Sequence, residues 1–237
     1  WNGYEFSEVK PQITGENEPM YKVKFSDGSE LRCTHYHKFI LSDGSRVKAS
    51  DLNNGDKLIK CDFPIITHKS NVDLDADRAY TSGFFMGDGS VETGHNGRKS
   101  IKLYGEKRKL KDYLRYESCV YCPSFDGEFL TLKKDSYFDK QFVPDANYSV
   151  KTRLDWLSGY IDSDGTIQSE EGCISISSIN REVLMNVKYL LNTLGCNASV
   201  CLMHPESYRP MPKNDGTGNV SNYHCQESYR LLISAYN

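Results

Sequence analysis

The sequence predicts an α+β protein, an all-β segment followed by two mixed α/β halves built in the same order. Three observations predict it. Short alternating stretches broken by Asp-Gly turns fill residues 1–66. A helix-like stretch ending in Asp-Gly occurs twice, at residues 81–89 and 157–165. The two copies stand 76 residues apart, from Asp88 to Asp164, which marks an internal repeat.

Tyr21-Lys22-Val23-Lys24-Phe25 alternates apolar and polar side chains, as a half-buried strand requires, and Ser26-Asp27-Gly28-Ser29 follows as a turn. A second such turn, Ser42-Asp43-Gly44-Ser45, follows the apolar Phe39-Ile40-Leu41. Pro64 and the polar stretch 68–77 predict a boundary, giving domains at 1–66, 73–150 and 151–237. Residues 77–87 and 151–163 are expected as helices rich in small and aromatic residues. After the second, Cys173-Ile174-Ser175-Ile176-Ser177 has period two, whereas Val183, Val187, Leu190, Leu191 and Leu194 have helical spacing. Gly195 then suits a helix C-cap, and Leu231-Leu232-Ile233-Ser234 reads as a strand. The order helix, two strands, helix, strands is expected in both halves.

Of the 237 residues, 38% are hydrophobic and 26% charged, the balance of globular rather than disordered material. No apolar run approaches the ~18 residues that span a bilayer, and the opening residues lack a signal peptide's basic and apolar regions. An intracellular protein without a membrane partner is expected. Neither a GxGxxG nor a P-loop fingerprint is present, which argues against a nucleotide-dependent metabolic enzyme. Net charge is −3, yet between Arg98 and Arg115 eight basic residues face only Glu106 and Asp112. That local excess fits contact with duplex phosphates through Arg98, Lys99, Lys102, Lys107, Arg108 and Lys109, or a solvated helix face. Among eight cysteines only Cys119 and Cys122 have metal-ligand spacing. No second pair completes a tetrahedral site, so reduced thiols are expected ahead of zinc.

The doubled motif carries the chemistry. Its copies are Thr81-Ser82-Gly83-Phe84-Phe85-Met86-Gly87-Asp88-Gly89 and Leu157-Ser158-Gly159-Tyr160-Ile161-Asp162-Ser163-Asp164-Gly165. Gly83 with Gly87, and Gly159 with Ser163, make a smooth stripe that lets two helix backbones approach closely. Asp88 and Asp164 fall at helix C-termini, where the macrodipole disfavours a carboxylate by ~0.3–1 kcal/mol. Side by side, the two acids repel unless a proton or a cation intervenes. Mg²⁺, which takes one or two carboxylates plus phosphate oxygens and water, suits such a place.

These segments resemble the paired motifs of monomeric LAGLIDADG homing endonucleases, over residues 73–237. The resemblance implies two pseudo-symmetric subdomains with saddle-shaped sheets that straddle double-stranded DNA, in a monomer with an internal pseudo-two-fold. It implies metal-dependent double-strand cleavage with Mg²⁺ or Mn²⁺. It also implies Asp88, Asp164, Gly87 and Ser163 as the metal set, and a catalytic lysine ahead of the second motif. Lys140, in Asp139-Lys140-Gln141-Phe142-Val143-Pro144, is the residue that matches, one position further from the proline than the family pattern. The first copy departs at Thr81 and at Met86, where the second keeps Asp162. The lysine of the second repeat is expected beyond Asn237, which leaves a DNA-binding protein with a decayed nuclease core as the alternative.

In the first segment, Cys33-Thr34-His35-Tyr36-His37 and the later Leu52-Asn53-Asn54-Gly55-Asp56 resemble part of the Hint domain of inteins. By that resemblance Thr34 and His37 would polarise a scissile peptide in an intein precursor. The stretch into Asp77 resembles inteins of ribonucleotide reductases. With Trp1 at its start and Ala235-Tyr236-Asn237 at its end, the chain is expected to be a piece of something longer. It is expected not to splice as it stands, unless as one part of a split intein.

Overall fold

The computed structural model describes residues 8–60, 62–67, 72–92, 97–168, 172–213 and 218–234. The readings placed on Trp1, on residues 68–71 and on 235–237 lie outside these. Packing divides the chain into two compact units, Trp1–Asp62 and Phe63–Asn237.

The first unit is β-structure, as its alternating pattern requires. Strands β1 (Met20–Lys24) and β2 (Glu30–Thr34) form one antiparallel hairpin. Strands β3 (Lys38–Ile40) and β4 (Arg46–Lys48) form another. Both Asp-Gly turns are closed by the aspartate accepting from a backbone N–H two residues on: Asp27 from Ser29 at 2.9 Å and Asp43 from Ser45 at 2.8 Å. The core of this unit is small: Cys33, Phe39 and Ala49, with Val23, Phe25 and Leu58 packed against them.

The second unit is built around two helices, α1 (Ala76–Asp88) and α2 (Val150–Asp164). Each runs into a four-stranded antiparallel sheet. After α1 come β5 (Gly89–Glu92), β6 (Arg98–Tyr104), β7 (Ser118–Cys122) and β8 (Gly127–Thr131), in the order β5-β6-β8-β7. After α2 come β9 (Gly165–Gln168), β10 (Cys173–Ser178), helix α3 (Arg181–Thr193) and β11 (Ala198–His204). Hairpin β12 (Ser207–Pro212) with β13 (Val220–Cys225) follows, and then β14 (Ser228–Ile233). That sheet has the order β11-β14-β10-β9, with β12 and β13 paired separately.

The two halves share a helix and a four-stranded sheet, but they differ where the second has α3. There the sequence supplies an apolar stripe, Asn180 caps the start by accepting from Val183 N–H, and Gly195 at φ 80 ends the helix. Cys196 N–H returns to Leu191 O at 2.9 Å and Gly195 N–H to Asn192 O, which satisfies the last carbonyls. The expected helix of the first half is instead a 3-10 segment, Gly105–Tyr113. Gly105 enters it at φ 56, outside the right-handed helical region.

The aromatic residues beside the glycines fill separate cores. Phe84 and Phe85 of α1 are fully buried with Ile101, Leu103, Leu130 and Phe138. Trp156 and Tyr160 of α2 are buried with Ile176, Val187, Leu190 and Leu231. Full burial of each large apolar side chain contributes ~1.5–3 kcal/mol.

Candidate functional site

The helices meet backbone to backbone. A Cβ on Gly83 would stand 1.8 Å from the carbonyl oxygen of Trp156, and one on Gly159 would stand 2.0 Å from that of Tyr80. The contact is reciprocal, because Gly83 and Tyr80 are spaced as Gly159 and Trp156 are. One turn further on, a Cβ on Gly87 would lie 2.2 Å from Ser163 Oγ and 2.7 Å from Asp164 Cγ. The small-residue stripe thus brings the two helix ends together, and with them Asp88 and Asp164.

Gly89 and Gly165, which follow the two acids, have ordinary extended φ values of −68° and −75°. Space requires glycine there: a Cβ would meet Phe85 O at 2.3 Å and Ile161 O at 2.5 Å. Each chain therefore leaves its helix tightly folded against the last turn, directly into β5 or β9.

Two lysines fill the ground between the acids. Lys107 Nζ donates to Asp88 Oδ2 at 2.5 Å and to Ser163 O at 2.6 Å, joining the acid of one motif to the main chain of the other. Lys140 Nζ donates to Gly87 O at 2.6 Å and to Met86 O at 2.9 Å. Both ammonium groups lie beside a phenyl ring of α1, Lys107 at 6.0 Å from Phe84 and Lys140 at 5.6 Å from Phe85. Asp164 keeps one side open to solvent. Burial on its other side and then the charge of Asp88 push its carboxyl above the ordinary value, against the pull of Lys107 and Lys140. Burial pushes the Lys140 ammonium down, opposed by Asp164 and Asp88.

The six residues of the basic run are divided by strand alternation and by the turn at Gly105. Lys99 shares its face of β6 with buried Ile101 and Leu103 and donates to Asp135 O at 2.7 Å. Arg98 and Lys102 are exposed on the other face, Arg98 paired with Glu92 at 2.7 Å. Arg108 and Lys109 are exposed on the 3-10 segment, Lys109 paired with Glu106 and Arg108 3.9 Å from Asp126. Lys107, which composition alone assigned to phosphate contact, turns into the site. The turn at Gly105 is the only local signal of it. Sequence reasoning also missed that Tyr80 donates its hydroxyl to Asp162 at 2.7 Å across the helix pair.

Cys119 and Cys122 stand three apart on β7, so they project from opposite faces and do not converge. No disulfide joins the described cysteines. In the first unit Thr34 closes β2 half-buried and His37 is exposed. The two are joined by the turn in which His37 N–H donates to Thr34 O at 3.1 Å. Among the described residues no helix is long and apolar enough to cross a membrane.

Residues 151–237, from the start of α2 onward, match the model of a family described as a LAGLIDADG-like domain. The match covers the second repeat alone. That repeat and the segment before it together align with longer proteins. The chain is 33% identical, over 99% of its length, to the ribonucleoside-diphosphate reductase large subunit of Invertebrate iridescent virus 6. It is 24% identical, over 97% of its length, to the ribonucleoside-diphosphate reductase NrdEB subunit alpha of Bacillus subtilis (strain 168). It spans 26% and 24% of these two relatives, about a quarter of each. Among solved structures it is similar to the homing endonuclease I-DmoI in complex with DNA and Ca, at TM-score 0.42 and 17% identity, covering 68% of this chain and 84% of that one. It is also similar to the N-terminal LAGLIDADG domain of DUF199/WhiA, at TM-score 0.41 and 14% identity, covering 70% and 81%.

Proposed function

We propose that this chain is the endonuclease part of an intein carried by a ribonucleotide reductase, and that it cuts double-stranded DNA at a specific site with a divalent metal. The observation that carries the reading is the meeting of Asp88 and Asp164 at the ends of two helices in backbone contact. Among the described residues no three His, Cys, Asp or Glu side chains cluster. The oxygens at this place come from two carboxylates and the main chain. They suit a hard cation, and two ammonium groups already rest against them. Asp88 and Asp164, with the carbonyls of Ser163 and Gly87, would hold Mg²⁺ or Mn²⁺. When bound, such an ion activates water and stabilises the oxygen that leaves the phosphate.

The remaining work belongs to the chain itself. Lys140, held at the Gly87 carbonyl, sits where it stabilises charge that develops on a phosphate placed over the helix ends. Arg98 and Lys102, on the face of the first sheet turned away from its core, would meet backbone phosphates with Arg108 and Lys109. The outer faces of the two sheets would form the saddle that the duplex enters, and their strands would read the major groove. Residues 1–66 would be a partial Hint domain in which Thr34 and His37 are vestiges of splicing.

The test is a supercoiled plasmid carrying the reductase coding sequence without this segment, incubated with the protein and Mg²⁺. A metal-dependent linear product is expected. Tight binding without nicking would show instead a DNA-binding protein whose nuclease has decayed. Ligated product on mixing with the missing flanks would identify a part of a split intein.

A further inference from the structure

The two halves of the site are not equivalent, and the difference is Lys107. Its ammonium is bonded to Asp88 Oδ2 and Ser163 O, the carboxylate of one motif and the carbonyl that precedes the other acid. In the opposite half Lys140 takes the matching carbonyl, Gly87 O, but its second bond goes to Met86 O. Among the described residues Asp164 receives no hydrogen bond from either lysine and feels them only through space. On the Asp88 side one ammonium takes both the carboxylate and the carbonyl, whereas on the Asp164 side an ammonium takes the carbonyl and leaves the carboxylate open.

We propose that Lys107 is the resident cation of the Asp88 half, a tethered ammonium that a divalent ion must displace, so that metal enters the Asp164 half first. An ammonium and a metal ion cannot both sit on one carboxylate oxygen and one carbonyl without close repulsion between like charges. Whichever stays must leave the other outside. The tether permits the exchange. Lys107 is 31% exposed, against 19% for Asp88, so its head reaches solvent by rotation of its own stem. Its segment stays anchored by Lys111, which pairs with Glu128 at 2.9 Å. The same 3-10 segment carries exposed Arg108 and Lys109, so a phosphate that approaches those two offers Lys107 an alternative partner.

This inference rests on the metal-dependent reading above, and the two are separated by binding measurements on DNA-free protein. Bound Mn²⁺ is counted by electron paramagnetic resonance, and Ca²⁺ affinity is followed by calorimetry. The wild-type chain is expected to bind one ion, and a second at least about tenfold more weakly, the scale of one close charge. Lys107→Met is expected to tighten the second ion by about tenfold or more. Lys107→Arg, which keeps the charge, is expected to preserve the weak second site. Adding Asp88→Asn to Lys107→Met is expected to remove the gain. Circular dichroism monitors folding, and Lys107→Gln serves if the methionine variant does not fold. Two ions of equal affinity in the wild type, or unchanged or weaker binding in Lys107→Met, overturns the inference and leaves the metal-dependent reading standing. No bound ion in any variant overturns both.

Discussion

Gly83 of α1 faces Trp156 of α2 so closely that a methyl group at Gly83 would stand 1.8 Å from the Trp156 carbonyl oxygen. That oxygen belongs to a helix backbone and cannot turn aside, so any side chain at Gly83 must push the helices apart. Gly83→Ala is expected to destabilise the second unit by at least about 3 kcal/mol, beyond the usual cost of overpacking. At ~2–4 °C per kcal/mol for a domain of this size, the melting temperature falls by roughly 6–12 °C. Gly159→Ala should match it, since its methyl would stand 2.0 Å from Tyr80 O. A thermal melt of each variant decides the matter; a loss under about 1 kcal/mol would mean the helices slide freely past each other.

Asp88→Asn and Asp164→Asn keep the shape of the helix ends and remove one charge each. Each is expected to lower double-strand cleavage by at least about a hundredfold, the scale of losing one stabilising group at a reacting phosphate. Binding to the same DNA should be unchanged or slightly tighter, because a negative charge facing phosphates has gone. Parallel cleavage and mobility-shift assays check this. Wild-type cleavage by either variant removes that residue from the proposed mechanism.

The parts of this site that were legible in the sequence are those set by local spacing. Small residues four apart and acids at the same place in two repeats foretold a close helix pair with carboxylates at its end. Long-range contacts leave no such trace. Arg153 lies on α2 with nothing in its neighbours to distinguish it, yet it is 1% exposed. It donates to Tyr148 O just before its own helix, to Thr193 O and Oγ1, and to Ile66 O, tying two distant segments to one guanidinium. Lys107 is hidden likewise: as one of eight basic residues in a run it looks like surface charge, and only the fold turns it inward. Where an α-helix is expected in the first half, the chain forms the 3-10 segment Gly105–Tyr113 instead, entered at Gly105 with φ 56.

Stability of the metal-free protein should depend on pH through Asp164. Its carboxyl is pushed above the ordinary value of 3.8, burial first and Asp88 second. The folded chain therefore keeps a proton that the unfolded chain has already released once pH rises past 3.8. Stability from this group is full below that value and declines as pH rises toward the raised folded one, then levels. Asp164→Asn carries no such charge. Its melting temperature relative to wild type is expected to rise across that interval in chelator-treated protein. A difference that is flat with pH would show that Asp164 meets no such opposition in the fold.

The departure of the first motif at Met86 has a structural counterpart in Trp156. Positions 80 and 156 are equivalent in the repeat, as are 162 and 86. In one direction Tyr80 donates its hydroxyl to Asp162 at 2.7 Å. In the other, Trp156 lies with Met86 in one buried cluster, and its Nε1 has no hydrogen-bond partner among the described residues. A buried donor left unpaired costs ~1–3 kcal/mol, and methionine offers it only a weak acceptor. Tyr80→Phe is accordingly expected to cost about 1 kcal/mol in urea unfolding. Met86→Gln supplies the missing acceptor without a charge. It should be better tolerated beside Trp156 than in a Trp156→Phe background, by about 1 kcal/mol of coupling in a double-mutant cycle. A coupling of zero would mean that the two side chains do not occupy equivalent ends of the repeat's contact.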